Sequence, residues 1–138
     1  MSQMAGVPVK QSDSEKITIN VGYVDLGHID LLVREGFYSN RTDLIRTAIR
    51  NQIASHADTL RQTVSRRSLV LGIHHYSRKD LEAARARGER LQIQVLGLAS
   101  IAEDVTPALA LKTIESIVVL GTLHANASVK RALAARIK

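Results

Sequence analysis

"KITINV", residues 16–21, alternates apolar Ile17, Ile19 and Val21 with polar Lys16, Thr18 and Asn20, the period-two signature of a strand with one covered and one open face. No second alternating stretch lies close enough to form a hairpin with it. The residues that follow, "GYVDLGHIDLLVREGFYSNRTDLIRTAIR" at 22–50, read as helix. Between Val24 and Glu35, Leu26, Ile29, Leu32 and Val33 mark one helical face, and Gly36 is a natural stop. Ser39 is an N-cap candidate for a second helix, whose apolar positions are Leu44, Ile45, Ala48, Ile49 and Ile53 and whose reach extends as far as Thr63.

One strand and two helices cannot close a core alone, because both edges of the strand are unpaired and one of its faces needs cover. A second copy supplies what is missing. Its strand, running antiparallel, completes a two-stranded ribbon whose apolar face is covered by four helices, two from each chain. The opposite face then presents Lys16, Thr18 and Asn20 twice about a two-fold axis. A ribbon of that width fits the major groove of B-DNA, and those side chains can hydrogen-bond base edges.

At this point the sequence resembles the ribbon-helix-helix family of DNA-binding proteins, of the CopG, MetJ and Arc type. The resemblance rests on "KITINV", on "IDLLVREGFYSNRTDLIRTAIR" and on the run of Ser, Arg, apolar and Ala positions from Ser39 to Arg50, and it covers residues 16 to about 55. It implies an intertwined βαα dimer in which Lys16, Thr18 and Asn20 read bases, while Ser39, Asn40 and Arg41 at the start of the second helix grip a phosphate. Free amides and the helix dipole favour an anion there. Gly22 and Tyr23 stand where family members commonly carry a polar residue or proline at the helix start.

Composition agrees with an anionic partner. The 138 residues carry 19 Lys and Arg against 13 Asp and Glu, a net charge of +6. No cysteine is present, which excludes disulfides, thiolate nucleophiles and Cys-based zinc sites. Apolar runs such as "IVVLGTL" are too short to span a membrane, and the N-terminus lacks the apolar core of a signal peptide, so a cytoplasmic, nucleoid-associated location is expected.

The second half repeats. "LVLGIHHYSRKDL" begins at Leu69, "QVLGLASIAEDVTPAL" at Gln94 and "VVLGTLHANASVKRAL" at Val118, with glycines at 72, 97 and 121. Each unit offers a short apolar strand at 69–73, 93–98 or 117–123, then a turn, an N-cap candidate (Ser77, Thr106 before Pro107, Asn126) and an amphipathic helix. Three such units predict a small α/β domain with parallel strands, or a short solenoid of leucine-rich-repeat flavour. Three short helices cover mainly one face of such a sheet, so the repeats are expected to pack against another copy. The domain plan is a flexible arm at 1–15, a ribbon-helix-helix domain at 16–56, a helical extension at 57–67 and a βα-repeat domain at 68–138.

Other chemistry is set aside. His74 and His75 are adjacent and point to opposite faces of a strand, and are read as strand-end residues in a turn; His124 holds a similar place in the third unit, and His28 and His56 are scattered. Glu103 and Asp104 suit the approach to a helix N-terminus better than paired acid catalysis. With no Ser-His-Asp set, phosphate loop or dinucleotide fingerprint, no enzyme, metal or cofactor is expected. The reading is a homodimeric, sequence-specific DNA-binding transcriptional regulator whose repeats mediate assembly or sense a ligand. An antitoxin with a toxin-binding tail, and an architectural or filament-forming DNA-binding protein, are the alternatives.

Overall fold

The computed structural model describes residues 14–138, so most of the arm expected at 1–15 lies outside the described residues. The chain divides into two compact units, the first ending at Ala57 and the second beginning at Asp58.

In the first unit, residues 16–22 carry no assigned secondary structure and pair with no strand among the described residues. Helix α1 (Tyr23–Arg34) follows, with Gly22 in an extended conformation at its N-cap and no side-chain cap bond. It ends as a Schellman motif: Gly36 takes φ of 88°, its amide donates to the Val33 carbonyl at 3.1 Å, and the Phe37 amide donates to that of Leu32 at 3.0 Å. Helix α2 (Arg41–Ala54) is capped by Asn40, whose side chain accepts from the Asp43 amide, so the cap falls one residue beyond the expected Ser39. Nor does α2 reach Thr63. Its last amide bonds are taken up at Ser55 and His56, and a separate helix α3 (Ala57–Arg66) begins directly after.

No residue of α1 or α2 is buried. Ile17 is 81% and Ile19 68% exposed, and Leu31, Phe37, Ile45, Ile49 and Ile53 are also exposed. An amphipathic helix pair that leaves its apolar stripe in water forfeits about 1.5–3 kcal/mol for each large side chain that burial would remove from solvent. The unit by itself therefore has helices and a turn but no core.

The second unit is different. Strands β1 (Val70–Tyr76), β2 (Leu91–Ile101) and β3 (Ile114–His124) form a parallel sheet in the order β1-β2-β3. Helices α4 (Arg78–Ala86), α5 (Pro107–Thr113) and α6 (Ala127–Ala132) follow the strands in turn, α4 beside α5 and α5 beside α6. Ser77 forms a reciprocal capping box with Asp80, Thr106 accepts from the Leu109 amide ahead of Pro107, and Asn126 accepts from that of Val129. All three sequence-read caps are made. Asn126 also donates to the carbonyls of Glu103 and Val105 at 3.2 and 3.3 Å, tying the second connection to the third helix.

Helices and strands close on one core of Leu81, Ile93, Val95, Ala99, Ile101, Val105, Leu109, Ala110, Ile114, Ile117, Val129 and Leu133. Buried Thr113 is satisfied by donating to the Leu109 carbonyl at 2.8 Å. At the C-terminus, Arg136 donates to the carbonyls of Leu111 and Ile114, and the Lys138 amide to that of Ile117.

The first two strands run on past the ranges expected at 69–73 and 93–98, to Tyr76 and Ile101, and the glycines lie inside all three strands, as those ranges have it. Gly72, Gly97 and Gly121 are aligned in register across the sheet, with φ of 123°, 138° and 124°. A Cβ built on Gly97 would stand 2.3 Å from the Gly72 carbonyl oxygen, and one on Gly121 2.0 Å from that of Gly97. Gly97 and Gly121 thus turn toward the neighbouring strand, where only a hydrogen fits, while Gly72 at the edge faces open space. Alternation survives the column, since Ile93 and Val95 before it and Ala99 and Ile101 after it all face the core. His74 and His75 consequently belong to β1 rather than to a turn.

Candidate nucleic-acid interface

Lys16, Thr18 and Asn20 are exposed in an unpaired segment, and so are the apolar residues that alternate with them. Ser39, Asn40 and Arg41 come together where α2 begins. The Asn40 Oδ1 accepts from the Asp43 amide at 2.8 Å, and the Asp43 Oδ2 accepts from the Ser39 amide at 2.9 Å. This reciprocal arrangement uses two of the amides at the helix start. Those of Arg41 and Thr42, at the first two helical positions, have no intrahelical acceptor and are left for solvent or an anion.

Arg41 is held. Its Nε and Nη2 donate to the two carboxylate oxygens of Asp30 at 2.8 and 2.9 Å, a fork-to-fork bridge from α2 back to α1. The hydrogen bond from Arg41 is the main cause that keeps the Asp30 carboxyl below the usual carboxylate range, and the same bond raises Arg41. With both partners about half exposed, the pair fixes orientation more than it stabilises the fold. The Nη1 donors of the guanidinium are not used by the bridge. Asp30 was not foreseen as a partner. Eleven residues separate it from Arg41, outside the helical i,i+3 and i,i+4 spacings, and only the glycine-closed turn between α1 and α2 brings them together.

Elsewhere, Arg61 is paired with Asp58 within α3, while Arg46 and Arg50 on α2 have no ion-pair partner among the described residues. In the second unit, His75 Nδ1 lies 3.1 Å from Ser100 Oγ, and the register carries the row on to His124. Among the described residues no group of three or more His, Asp or Glu side chains is placed to hold a metal ion, and no helix is long and apolar enough to cross a membrane.

A model of the Ribbon-Helix-Helix transcriptional regulator family matches residues 12–130 of the chain, spanning the βα repeats as well as the segment that carries the resemblance. No curated protein and no solved structure matches it.

Proposed function

The chain belongs to the ribbon-helix-helix transcriptional regulator family, and from that premise we propose that it is a sequence-specific DNA-binding regulator acting as a homodimer. Proteins of this family bind DNA and are typically dimeric. The observation that carries the proposal for this chain is the state of its first unit: an alternating segment without a strand partner, followed by two helices with no buried side chain. Pairing of residues 16–21 with the same residues of a second copy would cover Ile17, Ile19 and Val21 and set Lys16, Thr18 and Asn20 side by side on the outer face of an antiparallel ribbon. That face enters the major groove. The amides of Arg41 and Thr42, which the bonds between Asn40, Asp43 and Ser39 leave uncapped, take a backbone phosphate, with the remaining donors of Arg41 directed by its bridge to Asp30.

The βα repeats are proposed to act in assembly rather than in base reading, and the cytoplasm is the proposed location. A folded C-terminal core weighs against the antitoxin alternative, in which the tail orders only on a toxin. Selection from random duplex DNA by the purified chain, followed by sequencing, tests the central claim. Recovery of one motif with two-fold symmetry supports it, and recovery of no preferred sequence would replace it with the architectural reading.

A further inference from the structure

Helices α4, α5 and α6 close the core on one face of the sheet of the second unit, and among the described residues the other face is partly exposed. Its outward positions are Leu71, Ile73 and His75 on β1, with the in-register positions of β2 and β3 running from Gln92 to Ser100 and from Ser116 to His124. Two rows dominate its centre: Leu71, Leu96 and Leu120, then Ile73, Leu98 and Thr122. Leu71 is 72%, Ile73 71% and Leu120 48% exposed. None of these positions is Lys, Arg, Asp or Glu, in a chain of net charge +6.

Resting on the homodimer proposed above, we infer that this open sheet face is an interface that pairs with the same face of the partner chain within the dimer. Three properties favour that occupant. A face without Lys or Arg lacks the charge that neutralises a phosphate backbone, so DNA is a poor fit. A face with an apolar centre and a neutral polar surround is complementary to itself about a two-fold axis, and parallel sheets are almost always covered on both faces. Size decides between a partner already held and a free one. Three strands about 4.8 Å apart and some nine residues long at about 3.3 Å each give a face of roughly 400 Å² per copy. Two such faces bury about 800 Å², short of the ~1,200 Å² of a stable interface between free molecules. They suffice once the ribbon holds the chains together, because the second contact then forms at an effective concentration on the order of millimolar.

The chain has no cysteine, so one introduced thiol reports unambiguously. In the full chain, Leu71→Cys or Ile73→Cys is labelled with a thiol reagent beside Ala83→Cys, which lies exposed on α4, while light scattering gives the mass. The expected result is a dimer in which both sheet thiols react on the order of tenfold more slowly than the helix thiol, since they are reached only through opening. Adding Leu120→Lys to Leu71→Cys should restore fast labelling with dimer mass and circular dichroism unchanged. A dimer with equal rates at all three positions overturns this inference and leaves the ribbon reading standing. A monomer overturns the homodimer itself. Protection found only in a tetramer, or only after DNA is added, assigns the face to another occupant and overturns the inference as well.

Discussion

Asn20 and Asp80 show how differently single side chains act in the two units. Asn20 is exposed and lies outside the core of the second unit, so its replacement tests recognition. Asn20→Ala is expected to weaken binding to the selected DNA by about 1–3 kcal/mol per lost base contact, with little change on random duplex. A titration of both duplexes at one salt concentration checks this, and equal binding by mutant and wild type would remove Asn20 from the reading face. Asp80 acts inside the fold. The backbone N–H of Ser77, and then its hydroxyl, hold the Asp80 carboxyl below its ordinary range. A lowered carboxyl pKa in the native state contributes stability above the unfolded value of about 3.9, and that contribution is lost as pH falls through the lower native value. Acid should therefore loosen the start of α4. Asp80→Asn should lower the melting temperature at pH 7 and flatten its fall below about pH 4, as followed by circular dichroism. An unchanged acid limb would show that the capping box is not the group being titrated.

At the scale of the element, the glycine column is the feature that the apolar pattern concealed. Alanine at any of the three positions meets a φ between 123° and 138°, a strain of roughly 1–3 kcal/mol. Space then separates the three. Nothing lies within 4 Å of a Cβ at Gly72, whereas Gly97 and Gly121 would collide with backbone oxygen. Urea unfolding should accordingly rank Gly72→Ala as the mildest change, with Gly97→Ala and Gly121→Ala each costing more than the ~1–3 kcal/mol of φ strain alone. Equal losses at all three sites would mean that neighbouring strands yield without penalty. The Schellman turn at Gly36 is a smaller use of the same freedom, and it is the turn that brings Arg41 against Asp30.

For the whole molecule, the contrast is between a unit without a core and a unit with one. Residues from Ser14 to Ala57 include no buried side chain, while Leu81, Ile93, Ile114, Ile117, Val129 and Leu133 are almost wholly buried in the second unit. In the proposed homodimer, association supplies the missing cover in the first. Two unfolding transitions are expected in calorimetry, the earlier one moving to higher temperature as protein concentration rises and the later one persisting on dilution. A single transition independent of concentration would contradict the dependence of the first unit on a partner.

The periodicities at Leu26 to Val33 and Leu44 to Ile53, the caps at Ser77, Thr106 and Asn126, and the three parallel strands were legible from residues alone, because each depends on spacing within one short segment. The family was legible for the same reason, in forty residues of a match that extends to residue 130. Four details required the fold: the cap at Asn40, the break at Ser55 and His56, the Arg41–Asp30 bridge, and the alignment of the three strand glycines at positive φ in strands that run on to Tyr76 and Ile101. A glycine in a chain is compatible with a turn or a strand interior, since its lack of Cβ permits both. Which one it adopts depends on the neighbouring strand. The carbonyl that Gly97 accommodates belongs to Gly72, and the one that Gly121 accommodates belongs to Gly97, so the choice exists only once the three strands lie side by side.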